Sequence, residues 1–232
     1  MNNMRKLNIK ELVDFRRKSD RAKQNFALNL KLNRVESEAE GGGDYWVSSV
    51  SAIVQSFKHN DLQPVLDRRS ELEEKFDATK VAKTKTMYKR NINILYSFED
   101  IDSNKWRPNS KIDFLKQSKD NQLLTVRGLQ LQVTPNCVFE FEKDGKKEVG
   151  AIWFIAKLNG FSKDELGMFA NILWLYLNAH FSKDRIINPQ YCIAVDVYKG
   201  QDVSYLQPKE NGVPMILNST IDEIKKLMGG TN

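Results

Sequence analysis

LQVTPNCVFEFEKDGKKEVGAIWFIAK, residues 131–157, carries two strands, the turn between them and the run into the helix that follows. Cys137, Phe139 and Phe141 fall on one face of the first strand and Glu140 and Glu142 on the other, the period-two pattern of a half-buried strand. Lys143-Asp144-Gly145-Lys146 is a hairpin turn signal. Residues 149–158 (VGAIWFIAKL) are nearly all apolar, which suits a central strand covered on both faces.

Downstream, Ser162 and Glu165 form a capping box and open a helix that runs to about Ala179. Its apolar residues, among them Leu166, Phe169, Ile172, Leu173, Tyr176 and Leu177, cover most of its circumference. Such a helix is buried on more than one side, between the sheet and a further layer. Residues 191–198 read as a fourth strand, 203–206 as a short fifth, and Ser219 as the cap of a final helix of about ten residues. Upstream, residues 123–133 alternate loosely through Leu124, Val126, Leu129, Leu131 and Val133, with Gly128 as a bulge.

The first half has a different texture. Asn8 and Glu11 form a capping box, and Leu12, Phe15, Ser19, Ala22, Phe26 and Leu30 keep helical spacing, so residues 9–34 read as one long amphipathic helix. VESEAEGGGDYW, residues 35–46, is an acidic linker ending in glycines, with Asp44 placed to cap the next helix, whose stripe is Trp46, Val50, Ile53 and Phe57. Gly41–Gly43 follows no strand and precedes no Lys-Ser/Thr pair, so it reads as a hinge rather than a Walker loop. Two more helices are expected over residues 61–77, with Pro64 in the first turn, and 78–98. The expected fold is therefore α/β (α+β): a basic region of four helices over residues 1–105, then an α/β core over 106–232 with a mixed sheet of about five strands and a buried helix.

Composition narrows the function classes. Hydrophobic residues make up 41% and charged residues 28% of the 232, an ordinary soluble balance. No apolar run approaches the roughly 20 residues needed to span a bilayer, and no apolar stretch follows the basic N-terminus, so neither a membrane partner nor a secretory signal is expected. Cys137 and Cys192 sit in apolar strands and read as buried thiols in a reducing, cytoplasmic setting. With only His59 and His180, no His/Cys zinc cluster exists and histidine acid–base chemistry is poorly supplied.

The net charge of +6 lies wholly in residues 1–120, where twenty-four Lys and Arg face eighteen Asp and Glu; residues 121–232 balance at twelve each. Cationic surfaces attract polyanions. The candidate phosphate contacts are Arg16 and Arg17 in the first helix and Lys83, Lys85, Lys89 and Arg90 in the fourth, where Tyr88 is interleaved and no acid intervenes. Lysine-rich solvated helix faces give the same pattern.

The order strand, hairpin, strand, helix, strand, strand over residues 123–206 resembles the core of the PD-(D/E)XK, or restriction-endonuclease-like, superfamily. In that family a Pro-Asp opens the second strand and an acid-x-Lys ends the third. The acids hold magnesium, which stabilises charge on an in-line phosphoryl displacement. Pro135-Asn136 stands at the first position here and Ile155-Ala156-Lys157 at the second, so the lysine fits and both acids are missing.

The resemblance implies an endonuclease-like core that is catalytically degenerate, in a protein associated with DNA or RNA and needing no cofactor. The first alternative is a magnesium-dependent nuclease with relocated acids. In it Lys157, Glu140 and Glu142 form the catalytic set and Asn136, Glu140 and Asp196 hold the metal. The second is a non-enzymatic module that binds a protein partner.

Overall fold

The computed structural model describes residues 5–32, 45–118, 122–206 and 215–229. The fold is mixed α/β. Among the described residues it has seven α-helices, a five-stranded mixed sheet and a three-stranded mixed sheet.

The large sheet grows from the hairpin at its centre. Strand β5 (Cys137–Lys143) turns through Asp144 and Gly145, both at positive φ, into β6 (Lys146–Ile155). Helix α6 (Lys163–Phe181) carries the chain to β7 (Ile186–Asp196), which lies parallel to β6, and β8 (Gln201–Ser204) returns antiparallel at the edge. The opposite edge is β2 (Ile112–Phe114), antiparallel to β5, so the strand order is β2-β5-β6-β7-β8. Only three residues long and half-buried, β2 gave no periodic signal in the sequence.

Strand β6 is covered on both faces, as its apolar run predicts. Val149, Ala151, Trp153 and Ile155 point to one side, where they join α6, α1 (Ile9–Arg17), α2 (Asp20–Lys31) and the C-terminal helix α7 (Leu217–Gly229) in one apolar cluster. Ile152, Phe154 and Ala156 point to the other and meet α3 (Val47–His59), α4 (Gln63–Ala78) and α5 (Ala82–Glu99). Each cluster therefore draws on both halves of the chain. Phe154 sits among Phe57 of α3, Phe98 of α5 and Trp106 of a short 3₁₀ turn, at centroid distances of 5.6, 6.4 and 5.7 Å.

Several sequence expectations are corrected. The single helix over 9–34 is two, broken at Lys18-Ser19, where extended backbone interrupts the ladder. Residues 123–133 are not a strand of the main sheet. They form a separate hairpin, β3 (Leu123–Val126) and β4 (Leu129–Gln132), and Gly128 is a turn residue rather than a bulge: Arg127 (φ 49°) and Gly128 (φ 85°) make the two-residue connection. The strand β1 (Leu7–Asn8) completes this small sheet beside β4.

Strand β7 starts five residues earlier than its apolar run suggests, at Ile186. Ser219 lies inside α7 and donates back to the Ile216 carbonyl instead of capping the helix. The linker at 35–44 and the Asp44 cap lie outside the described residues. The expected capping boxes at Asn8/Glu11 and Ser162/Glu165 are both present, and α6 is buried on more than one side. Among the described residues no helix is long and apolar enough to cross a membrane.

Candidate functional site at the ends of the central strands

Strands β6 and β7 end side by side, with Ile155 opposite Asp196. Helix α1 supplies three charged residues to this end of the sheet, Lys10, Asp14 and Arg17. The connection into α6 bends sharply at Asn159 and Gly160, both at positive φ.

Asp196 organises the bend. It is fully buried, and its Oδ2 accepts from the Phe161 N–H at 2.8 Å, while Oδ1 accepts from the N–H groups of Tyr198 at 2.9 Å and Lys199 at 3.3 Å. Burial lifts its pKa above the usual aspartate range, against the pull of those amides and of the Lys199 ammonium. Gly160 is dictated by its φ of 66° and by space. A Cβ there would run into Asp196 Oδ2 and lie 2.6 Å from Lys199 Cδ.

Glu165 sits in the first turn of α6, where a carboxylate complements the helix dipole. Its Oε2 accepts from the Ser162 N–H at 2.8 Å. Arg17 grips both oxygens in parallel, Nε to Oε1 at 2.7 Å and Nη2 to Oε2 at 2.5 Å, and Nη2 also donates to the Gly160 carbonyl at 2.9 Å. Burial alone would raise the Glu165 pKa; the Arg17 bonds and the Ser162 amide reverse this and leave it below the ordinary 4.5.

The depressed pKa makes a stability prediction. The pairing term is complete above the ordinary glutamate pKa and is lost as pH falls through the folded-state value. Arg17 is partly exposed, which discounts the pair, so Arg17→Gln is expected to cost about 1–2 kcal/mol at neutral pH. The gap between wild type and variant should close on acidification below pH 4.5. Urea denaturation across pH measures it, and an equal gap at neutral and acidic pH would refute the pairing as its source.

Lys157 is ion-paired with Asp14. Lys10 stands close to the pair: burial lowers its pKa, Asp14 raises it and Lys157 lowers it again. Asn136 adjoins the same end of the sheet, but its Oδ1 is spent on the Phe154 N–H at 2.7 Å. Ile155 is buried in the core.

The other sequence candidates lie elsewhere. Glu140 pairs in register with Val149, eight residues before Lys157, or roughly 25 Å along the strand. It binds Lys147 at 3.0 Å and Arg185 at 2.5 Å, which hold its pKa below the usual value. Glu142 is exposed near the hairpin turn, opposite Lys147. The structure therefore brings together Lys157, Asn136 and Asp196 at one end and leaves Glu140 and Glu142 apart. Among the described residues no group of three His, Cys, Asp or Glu is placed to hold a metal ion.

Of the candidate phosphate contacts, Arg16 donates to Thr220 Oγ1 at 3.1 Å and Arg17 is committed to Glu165. Lys83 and Lys89 project from α5 as exposed residues; Lys85 lies over the Phe76 ring at 5.0 Å, and Arg90 donates to the Tyr45 hydroxyl at 2.9 Å. Sequence reasoning missed Asp14 and the Arg17–Glu165 pair. Glu165 was visible as a cap, but a partner 148 residues away leaves no local pattern. Comparison with protein-family models, curated proteins and solved structures finds no match for this chain.

Proposed function

We propose that this is a nucleic-acid-binding protein with an endonuclease-like core that has lost its hydrolytic chemistry, holding the phosphate backbone mainly with α5. One observation carries the reading: five cations fall within residues 80–90, no acid occurs from 78 to 98, and Lys80, Lys83 and Lys89 are exposed. Cations in that state release counterions when they meet phosphates, which is the main source of non-specific affinity. Lys85 and Arg90, braced by Phe76 and Tyr45, flank them as pre-positioned contacts.

The degenerate part of the reading is supported by how the acids near Lys157 are used. Asp14 is tied to Lys157, Glu165 to Arg17 and Asp196 to three backbone amides, so each carboxylate already has a partner where a metal would need it. The order of hairpin β5–β6, helix α6 and strands β7 and β8 supports the resemblance, although the strand expected over residues 123–133 lies in the small sheet and β2 takes the edge beside β5.

Fluorescence anisotropy with single- and double-stranded oligonucleotides tests the proposal. Binding should weaken steeply with salt, and Lys83→Gln with Lys89→Gln should lower the slope of log K against log salt by about 1.4–1.8. No binding at low salt, or a slope unmoved by the double variant, would discard it. Magnesium- or manganese-dependent cleavage by the same preparation would overturn the loss of chemistry while leaving the binding.

A further inference from the structure

We infer that a cleft beside Asn136 is a phosphate-binding site that takes a phosphomonoester, the phosphorylated end of a strand or a free mononucleotide. The cleft has a volume of about 270 Å³ and is assembled from three separate parts of the chain. Lys58 enters from the last turn of α3, Lys116 and Gln117 from the segment after β2, and Asn136 from the start of β5.

The walls are fixed before any ligand arrives. The Leu115 N–H donates to the Val138 carbonyl at 2.9 Å, extending the β2–β5 pairing, and Gln117 Nε2 donates to the Pro135 carbonyl at 2.9 Å. Asn136 is anchored through its Oδ1 on Phe154. Those bonds use up one acceptor and one donor and, among the described residues, leave the opposite ends of the two amides uncommitted. Asn136 keeps its NH₂ group as a donor and Gln117 its Oε1 as an acceptor.

The charge in the cleft is of one sign. Among the described residues no carboxylate lines it, and neither the Lys58 nor the Lys116 ammonium has an acid partner. Cys137, also in the lining, adds no negative charge at neutral pH: burial pushes its thiol up to about 11 although Lys58 and Arg107 pull it down. Two ammonium groups and an amide NH₂ around a pocket partly floored by Phe114 and Val138 are matched by a phosphate dianion.

Size then selects the form of the phosphate. About 270 Å³ falls just below the roughly 300–1,000 Å³ of ordinary small-molecule sites, room for a phosphate with its sugar and too little for a run of nucleotides. A continuous backbone would pass over the mouth; an end group would enter. Assigning the phosphate to nucleic acid rests on the proposed function above, whereas the anion site itself does not.

The test compares a short single strand bearing a terminal 5′-phosphate, the same strand ending in a hydroxyl, and adenosine monophosphate alone. Wild type should bind the phosphorylated strand about tenfold more tightly than the hydroxyl strand. Lys58→Gln with Lys116→Gln should erase that difference, while Lys83→Gln with Lys89→Gln should weaken both strands equally and preserve it. No gain from the terminal phosphate, or a gain that survives loss of both cleft lysines, overturns the site. If neither strand binds, the nucleic-acid reading falls and adenosine monophosphate decides the cleft: binding abolished by the Lys58/Lys116 variant upholds it, and no binding overturns it.

Discussion

Asp196→Ala is expected to lower the free energy of unfolding by roughly 3–5 kcal/mol, among the largest effects of any single substitution in this chain. The cost has two parts. Three backbone N–H groups, on Phe161, Tyr198 and Lys199, lose a charged acceptor at a fully buried position. The turn through Asn159 and Gly160, both at positive φ, also loses the carboxylate that ties its Phe161 end to β7. Asp196→Asn retains one carbonyl oxygen and should cost about half as much. Urea midpoints at constant m-value give the measurement. A loss below about 1 kcal/mol for the alanine variant would mean that water reaches the freed amides, contradicting the burial on which the prediction rests.

Phe154→Ala is expected to cost a similar 3–5 kcal/mol for a different reason. Phe154 is the ring of the central strand that meets α3, α5 and the 3₁₀ turn together, through Phe57, Phe98 and Trp106. Removing it opens a cavity at the junction of sheet and helices, and close-packed interiors relax only partly around such a gap. Phe154→Leu refills most of the volume and should cost less than about 1.5 kcal/mol. Equal losses for the two variants would show that the site tolerates no change of shape; a loss under 1 kcal/mol for alanine would show that the helices are held to the sheet elsewhere.

How much of this could be seen in the sequence depends on the range of the interaction. The β5–β6 hairpin, both capping boxes and the all-round burial of α6 were legible because each is written within a few consecutive residues. The break at Lys18-Ser19 was not, since Ser19 keeps the helical spacing while its backbone leaves the helix. The hairpin at Arg127-Gly128 reads as a bulge because the apolar positions slip by one there, from Leu124 and Val126 to Leu129, Leu131 and Val133, and one extra residue in a continuous strand shifts the phase just as a two-residue turn does. Of the candidate site, Lys157 and Asn136 were legible through the resemblance. The residues that occupy them, Asp14 and the Phe154 amide, were not, because they are brought there by packing. Glu140 and Glu142 looked like a paired set because they share a face; the register of the hairpin places Glu140 far from Lys157.

The way the two ends of the chain close on each other bears on how it folds. Lys23 of α2 binds Glu223 of α7 across 200 residues, Arg16 reaches Thr220 across 204, and β1 pairs with β4 through Leu7 and Leu131. The layer made by α1, α2 and α7 therefore cannot close during synthesis until α7 has emerged, although α1 and α2 are made long before it. Contacts this distant in sequence slow folding, because the entropy of closing a long loop is spent before the contact forms. The α3–α5 layer, whose helices follow one another closely, can assemble on local contacts first. Refolding should accordingly show early protection of amides in α5 and late protection in α1 and α7, an order that follows from chain connectivity and not from the stability of any one helix.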